Sequence, residues 1–412
     1  MDILFVHQNF PGQFRFLAPE LVRLGHSVTA LKRGHGSAET WEGVRVIKYQ
    51  ITSSPSAETH PWLTDFESKV IRAESCLWVA QNLASNGFKP NVVISHHGWG
   101  ESLFLKEIWP NARFGIYCEY YYNTSHSDLD FDPEFRYNEI DQICRLKLKN
   151  LTHILHFDIA NAGVSPTYFQ ANTFPTVFRR NISVIHEGID SRALVPNSSV
   201  SLKFSNAINL DKSNEVITFV NRNLEPYRGY HIFMRTLPQI LRFRPNAYVL
   251  IVGGDGVSYG PGPNDAKSWK DKFIREARPQ ISDSDWSRVL FLGRIPYYLY
   301  LHVLQLSTVH VYLTYPFVLS WSMLEAMSIG CTVVGSKTAP VEEVITHGEN
   351  GLLVNFFDHE ELASSVCELL DNPSKRKRLG DAARQTIIDR YDLKTVCLPA
   401  QLEWIRNLAD CS

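Results

Sequence analysis

Short apolar runs alternate along the chain with longer amphipathic segments. The first such unit is an apolar run at residues 3–6, a loop with a single glycine at 9–13, a helical stretch at 14–24 and a second apolar run at 28–31. A strand, a helix and a further strand in this order are typical of a βαβ unit with parallel strands. The pattern therefore predicts a parallel sheet near the N-terminus.

The alternation continues on both sides of one irregular segment. Residues 191–213 lose periodicity and are rich in Ser, Asn and Pro, which is typical of a linker. We predict an α/β protein with two Rossmann-like, doubly wound domains that face each other across a cleft. The predicted parts are a first domain at 1–190, a second domain at 214–389, and a C-terminal helix within 390–412 that crosses back to the first domain.

Composition and charge narrow the functional classes. Of the 412 residues, 44% are hydrophobic and 20% are charged, which is ordinary for globular proteins. Lys and Arg number 41 against 43 Asp and Glu, so the positive excess that drives nucleic-acid binding is absent. Seven scattered cysteines without a CxxC pair favour neither a disulfide framework nor a zinc site and indicate a reducing cytosol.

No apolar run approaches the roughly 18 residues of a membrane span, and the N-terminus lacks a signal-peptide pattern. We therefore expect a cytoplasmic protein whose membrane contact, if any, is peripheral and on the inner face. Arg145, Lys147 and Lys149 alternate with leucines, and they either contribute to such a contact or form a solvated helix face.

Three segments of the second domain carry candidate chemistry. Arg222 and Arg228 follow a strand and precede a helix, a position where guanidinium groups bind phosphate oxygens, although solvated arginines are an equal alternative. Gly254 lies in a glycine turn after the next strand, for which a plain tight turn is the favoured alternative. Glu325 lies in a helix that Ser320 or Ser322 caps, and its carboxylate either stabilises the helix or accepts ribose hydroxyls.

Six motifs in a shared order resemble those of the retaining glycosyltransferases of family 4, which have the GT-B fold. The loop at 222–229 looks like their GRLxxxKG motif. The other five similar segments are 187–190 (NGVD), 253–256 (GxGp), 291–295 (base-holding segment), 324–330 (second half of E-x7-E) and 350–354 (NGLLV).

The resemblance implies a role for each of these residues. Arg222 and Arg228 would bind the diphosphate and stabilise the leaving nucleoside diphosphate, while Glu325 would bind the ribose. Further donor contacts are implied for Gly12 and Gln13 in the first βα loop, Gly254, the backbone at Arg294 and Ile295, and Leu319, Ser320, Trp321 and Ser322. No metal ion or other cofactor is implied, because the cationic pair and the helix dipole neutralise the leaving group.

Two positions depart from the family pattern. Phe317 stands where a glutamate of the family faces the donor sugar. Glu119 stands where its active-site histidine is usual, and the preceding strand supplies His97 nearby. We therefore name Glu119 and His97 as catalytic candidates beside the two arginines, with a buried structural role as the alternative for His97.

The resemblance implies transfer of a hexose, with UDP-glucose as the expected donor, to a saccharide or lipid-linked acceptor. Assembly of a bacterial surface polysaccharide or exopolysaccharide is the expected context. The two departures keep a non-catalytic module that binds a nucleotide sugar or a partner as the alternative. A nicotinamide dehydrogenase is disfavoured, because the first βα loop has one glycine and no GxGxxG pattern.

Overall fold

The structure is a computed structural model that describes residues 1–125, 127–135, 140–205 and 208–410. The chain divides into two compact units, of which unit 1 comprises Met1–Gly188 with Lys394–Ser412 and unit 2 comprises Ile189–Leu393. The last two positions of the predicted C-terminal helix, Cys411 and Ser412, lie outside the described residues. Each unit contains a parallel sheet with helices, which confirms the predicted α/β class.

Unit 1 is built on one sheet of eight strands within the described residues. These are β1 (Asp2–Val6), β2 (Ser27–Arg33), β3 (Glu39–Trp41), β4 (Val44–Tyr49), β5 (Val92–Ser95), β6 (Arg113–Tyr117), β7 (Ala162–Ser165) and β8 (Ile182–Val184). Their order is β3-β4-β2-β1-β5-β6-β7-β8, and all neighbours are parallel except β3 and β4. In the central strand β1, Ile3 to Val6 are all buried, as expected where helices cover both faces of a parallel sheet.

The helices of unit 1 connect these strands. They are α1 (Leu17–Arg23), α2 (Thr64–Ser85), α3 (Leu105–Ile108), α4 (Asp128–Phe131), α5 (Ile140–Lys149), α6 (Leu151–Ile159), α7 (Tyr168–Asn172) and α8 (Thr176–Arg179). Two 3₁₀ turns, Gly12–Phe14 and His97–Trp99, lie in the segments that follow β1 and β5.

Unit 2 has a six-stranded parallel sheet in the order β13-β12-β11-β14-β15-β16 and a separate β9-β10 hairpin among its described residues. The strands are β9 (Ser201–Lys203), β10 (Asn209–Asp211), β11 (Val216–Asn223), β12 (Tyr248–Gly254), β13 (Val289–Gly293), β14 (Val309–Tyr312), β15 (Val333–Ser336) and β16 (Leu352–Val354). The helices are α9 (Tyr230–Phe243), α10 (Trp269–Ala277), α11 (Asp283–Trp286), α12 (Tyr297–Leu306), α13 (Trp321–Ser328), α14 (Ala339–Glu342), α15 (His359–Asp371) and α16 (Pro373–Arg390).

The segment whose composition indicates a linker is structured over its described part, which excludes residues 206 and 207. It forms the β9-β10 hairpin and buries Leu194, Val200 and Leu210 in the apolar core of unit 2. These three side chains are spaced too widely along the sequence to produce a periodic pattern, which is why the segment resembles a linker.

The last helix, α17 (Leu398–Asp410), belongs to unit 1 and packs against α1 and β6. A Cβ atom at Gly115 of β6 would lie 2.6 Å from the Trp404 ring and 2.7 Å from Leu408, so the helix sits directly on the strand. The predicted return of the C-terminal helix to the first domain is confirmed. Among the described residues, no helix combines the length and the apolar character that a bilayer span requires.

Candidate functional site

The predicted donor residues of unit 2 lie just beyond the carboxyl ends of β11, β12, β13 and β14. These strands are parallel and adjacent, so the segments that follow them meet at one edge of the sheet. In open α/β sheets this edge is where ligands bind. The fold therefore gathers side chains that are up to about a hundred positions apart in the sequence.

The two predicted arginines have different surroundings. Arg222 is exposed, and its side chain makes no hydrogen bond or ion pair with any part of the chain that the structure describes. Arg228 is only 6% exposed, and its Nη1 donates to Thr314 Oγ1 at 2.8 Å and to the Val318 carbonyl oxygen at 2.9 Å. Its guanidinium carbon also lies 5.2 Å from the centroid of the Tyr259 ring. Arg222 is open to a ligand, whereas the protein itself fixes Arg228.

Side chains from two neighbouring strand ends cover Gly254, the last residue of β12. A Cβ atom there would lie 2.5 Å from Arg294 Nε and 2.8 Å from Asn223 Oδ1, so a larger residue does not fit. Arg294 Nη2 donates to Asn223 Oδ1 at 2.8 Å. The side chain of Arg294, and not only its backbone, therefore lies at the ligand edge, while Ile295 packs against the core of unit 2.

A buried carboxylate ties the segments after β11 and β12 together. Glu225 Oε2 accepts hydrogen bonds from the backbone N–H groups of Ser258 at 2.8 Å and Tyr259 at 3.1 Å. Asn223 Nδ2 donates to Ser258 Oγ at 2.7 Å. Burial raises the pKa of Glu225. These contacts hold Tyr259 beside Arg228.

The helix that carries Glu325 begins at this edge. Ser320 is its N-cap and accepts a hydrogen bond from the backbone N–H of Ser322 at 3.3 Å, while Ser320 N donates to Tyr312 Oη at 2.9 Å. The positive end of the dipole of α13 therefore lies next to the Val318 carbonyl that Arg228 binds. Leu319, Trp321 and Ser322 complete the predicted donor segment, and Leu319 packs into the core.

Glu325 is buried and bonded to the neighbouring helix α12. Its Oε1 accepts from Tyr297 Oη at 2.7 Å and its Oε2 from Tyr300 Oη at 2.6 Å. A carboxylate has about four acceptor sites, which is more than the two that the tyrosines use. The structure thus gives Glu325 partners that the sequence did not indicate.

Phe317 belongs to an aromatic cluster. It is 5% exposed, and its ring centroid lies 4.8 Å from that of Tyr259 and 5.6 Å from that of Tyr227. Tyr227 in turn lies 4.8 Å from Tyr315. The residue at the usual glutamate position is therefore a packing residue, and it supports the ring that lies over Arg228.

In unit 1, a chain of polar contacts joins the ends of β1, β5 and β6. His7 Nε2 lies 2.9 Å from Gln13 Oε1, Gln13 Nε2 donates to Glu119 Oε1 at 3.3 Å, and Glu119 Oε2 lies 3.4 Å from His96 Nε2. The backbone N–H of Asn9 donates to His7 Nδ1 at 3.0 Å, so Nε2 carries the hydrogen and donates to Gln13. Gln13 thus contacts Glu119, and Gly12 precedes Gln13 in the same loop. The donor contacts that the resemblance implies for Gly12 and Gln13 stay a prediction.

The conformation of this loop requires a glycine. Gly12 has a φ of +49°, and a Cβ atom there would lie 2.4 Å from the His7 ring. Burial lowers the pKa of His7 to about 3, with a further contribution from His96, so its ring is neutral. Burial alone lowers the pKa of His96, but the Glu119 and Glu101 carboxylates together outweigh it, and the pKa of His96 lies above its ordinary value.

His97, the histidine singled out in the sequence, lies in the core. It is 1% exposed, its Nδ1 donates to the Tyr117 carbonyl oxygen at 3.0 Å, and its Nε2 accepts from His153 Nδ1 at 2.7 Å. Burial and His153 lower its pKa well below the ordinary value. Both ring nitrogens are therefore occupied by the protein, and the histidine that meets Glu119 is its neighbour His96.

The basic residues of α5 differ in their exposure to solvent. Arg145 and Lys147 are exposed, but Lys149 turns inward, with its Nζ 3.7 Å from the centroid of the Tyr122 ring. Asn150 fixes the backbone at Tyr122, because its side chain donates to the Tyr122 carbonyl oxygen at 2.7 Å and accepts from Tyr122 N at 3.1 Å.

Unit 2 thus presents cationic groups, a helix N-terminus and a hydroxyl-binding carboxylate at one edge, an arrangement that can bind a phosphorylated sugar derivative. Unit 1 contains the Glu119 carboxylate with the His96 imidazole beside it.

Sequence reasoning missed Asn223, Glu225, Tyr297 and Tyr300 in unit 2 and His7 and His96 in unit 1. The pair His96 and His97 was visible, but only the fold shows which ring meets Glu119. Groups of His, Cys, Asp and Glu that could hold a metal ion are absent from the part of the chain that the structure describes.

Comparisons with known proteins match both halves of the chain to glycosyltransferases. Residues 24–194 match the family described as Glycosyl transferase family 4 group, and residues 201–386 match Glycosyl transferases group 1. An uncharacterized glycosyltransferase of Methanocaldococcus jannaschii is 22% identical over 219 residues, which are 52% of this chain and 50% of that protein. The chain thus spans about half the length of the relatives it matches.

Solved structures match over the whole length. A sucrose-phosphate synthase from Thermosynechococcus elongatus superposes with a TM-score of 0.75 at 16% identity and covers 99% of each chain. The Anabaena protein HepE, solved in complex with UDP-glucose, superposes with a TM-score of 0.65 at 17% identity and covers 99% of this chain and all of that one. At these identities the likeness establishes the architecture.

Proposed function

The chain belongs to the family-4-type glycosyltransferases of GT-B fold, and from this membership we propose that it transfers a hexose from a UDP-sugar to a saccharide or glycolipid acceptor. UDP-glucose is the proposed donor. One observation carries the proposal: Arg228 binds the Val318 carbonyl oxygen, two residues before the Ser320 cap of the helix that holds Glu325. Arg228, which suits a diphosphate, thereby holds the loop that leads into the helix of Glu325, which suits a ribose.

In the proposed reaction, the bond between the sugar anomeric carbon and the diphosphate oxygen breaks, and the acceptor oxygen bonds to the same carbon. Arg222 and Arg228 stabilise the charge that develops on the departing diphosphate, as does the N-terminus of α13. The acceptor hydroxyl loses its proton to the departing diphosphate, and the configuration at the anomeric carbon is retained. Proton nuclear magnetic resonance of the first product formed tests retention through the coupling constant of the anomeric proton.

We propose no metal cofactor, since the cationic side chains and the helix dipole supply the neutralisation that Mg²⁺ supplies elsewhere. Transfer is then undiminished in excess EDTA. Recovery of activity that depends on added Mg²⁺ after chelation contradicts this part of the proposal.

For unit 1 we propose that Glu119 contacts a substrate hydroxyl and that His96, which is only 3% exposed, positions the Glu119 carboxylate. Glu119 retains 35% of its side-chain exposure, whereas His97 is enclosed. Replacement of His96 by Asn then lowers transfer more than replacement of His97 by Asn does, once both activities are corrected for the folded fraction. The reverse order contradicts the assignment to His96.

A lipid-linked acceptor would require peripheral membrane contact, and the exposed side chains of α5 and α6 support this proposal. Arg145 and Lys147 are exposed on α5, and Ile140, Ile154 and Leu155 are exposed on α5 and α6. Basic and apolar side chains together bind anionic lipid surfaces. Sedimentation with phosphatidylglycerol vesicles, but not with phosphatidylcholine vesicles, is the expected result, and the double variant Arg145→Ala, Lys147→Ala reduces it. The context proposed for such an acceptor is assembly of a bacterial surface polysaccharide or exopolysaccharide.

The alternative is a module that binds a nucleotide sugar or a partner without catalysis. The packing of Phe317 among tyrosines, where a glutamate is usual, favours it. Binding of UDP-sugars without any release of UDP would identify this function.

A further inference from the structure

Two tyrosines of α12 hold both oxygens of the Glu325 carboxylate. Tyr297 Oη lies 2.7 Å from Oε1, and Tyr300 Oη lies 2.6 Å from Oε2. A carboxylate that is 6% exposed needs such donors, because burial of an unpaired charge is costly. One donor on each oxygen fixes the rotation of the carboxylate plane, which a single donor does not.

The geometry of α12 makes this pairing possible. Tyr297 and Tyr300 are three residues apart and therefore lie on one face of the helix, with ring centroids 5.6 Å apart. Tyr297 is also the first residue of α12, and only Pro296 separates it from the segment of Arg294 and Ile295. The proposed base-binding segment and the donors to Glu325 are thus close neighbours in the chain.

The two tyrosines differ in their surroundings. Tyr300 is 8% exposed, and burial together with Glu325 raises its pKa well above the ordinary value, so its hydroxyl stays protonated and donates. Tyr297 is 48% exposed. Water can replace the hydroxyl of Tyr297 at Glu325 more readily than that of Tyr300.

We propose that Tyr297 and Tyr300 are positioning residues for the ribose: by orienting the Glu325 carboxylate, they make the nucleotide site select ribonucleotides over 2′-deoxyribonucleotides. The inference rests on the proposed function, in which Glu325 accepts the ribose hydroxyls. Each tyrosine occupies one lone pair of one oxygen, and the carboxylate so oriented accepts from the 2′ and 3′ hydroxyls. The tyrosines do not touch the ligand in this arrangement, and they act through Glu325.

The test compares the affinities of UDP and 2′-deoxy-UDP by isothermal titration calorimetry. Wild-type protein binds UDP more tightly. Tyr300→Phe lowers the affinity for UDP roughly tenfold, and it lowers that for 2′-deoxy-UDP by no more than about threefold, because this nucleotide keeps only the 3′ hydroxyl. Tyr297→Phe also lowers the affinity for UDP more than that for 2′-deoxy-UDP, but by a smaller factor. Tyr298→Phe, at a position 66% exposed on the same helix, is the matched control and changes neither affinity.

A second arm separates positioning from a merely structural role. In the Glu325→Gln background, Tyr300→Phe no longer changes the affinity ratio of the two nucleotides, because the carboxylate through which it acts is gone. Equal losses for UDP and 2′-deoxy-UDP in Tyr300→Phe overturn the proposal, as does an effect on the ratio that persists in the Glu325→Gln background. If Tyr300→Phe does not fold, Tyr297→Phe decides the same question from its exposed position. Absence of UDP binding by the wild-type protein would instead overturn the proposed function.

Discussion

Gln13 donates a hydrogen bond from its side-chain amide to Glu119, 106 positions further along the chain, at 3.3 Å. The contact joins the loop after β1 to the end of β6, and His7 and His96 extend it on either side. Glu119 is thereby oriented by an amide on one oxygen and by an imidazole on the other. Such support from neighbouring side chains is what keeps a reactive carboxylate in one geometry.

Removal of the charge on Glu119 should impair turnover without unfolding the protein. Glu119→Gln has nearly the same shape but loses the attraction to His96, so we expect at least a roughly tenfold decrease in kcat. Steady-state UDP release measures it. Glu107→Gln, at an exposed position, is the matched control. A kcat of Glu119→Gln equal to that of the control would show that Glu119 serves the fold alone.

Replacement of Arg222 and replacement of Arg228 should change the free energy of unfolding by different amounts. Arg222→Ala removes an exposed side chain that has no hydrogen-bond or ion-pair partner among the described residues, so its free energy of unfolding stays within about 0.5 kcal/mol of wild type. Arg228→Ala removes the donor to Thr314 and Val318 and costs about 1–3 kcal/mol. Urea unfolding followed by tryptophan fluorescence measures both values.

Both arginine variants should also lose affinity for UDP by at least about tenfold, because each loses a hydrogen bond to a charged group. Arg242→Ala, exposed on α9, is the control for loss of one positive charge. Unchanged UDP affinity in Arg222→Ala would remove it from the diphosphate site. An unchanged stability of Arg228→Ala would contradict the contacts described for it.

The order of apolar runs suffices to predict the two parallel sheets, because strands buried on both faces must be apolar throughout. The motif residues Arg228, Gly254 and Glu325 could likewise be located, since they follow strands that share an edge. Which of His96 and His97 faces Glu119 could not be predicted, because it depends on the local 3₁₀ turn after β5. Tyr297 and Tyr300 were missed for a similar reason: a tyrosine on a helix gives no sign of which distant carboxylate it meets.

Acid should destabilise the protein through its buried histidines. Burial lowers the pKa of His7 to about 3 and that of His156 to about 4, and it also lowers the pKa values of His97 and His153. Below the unfolded pKa of about 6.5 the unfolded chain binds protons that the folded chain does not, so stability falls as the pH drops from there towards 4.

Each such histidine contributes at most about 1.4 kcal/mol per pH unit to this slope. Urea unfolding at a series of pH values between about 7 and 5 measures the slope. His156→Gln reduces it, whereas His35→Gln, at an exposed position, leaves it unchanged. A stability that is constant over this range would contradict the neutral, buried state of these rings.

The proposed transfer reaction is tested most directly by UDP release from UDP-glucose in the presence of a crude glycolipid extract, with UDP-galactose, GDP-mannose and ADP-glucose as competing donors. We expect release that is fastest from UDP-glucose, that increases with the extract, and that falls at least about tenfold in Arg222→Ala. No release from any donor, although the same donors bind, would contradict the enzymatic function and favour a non-catalytic module.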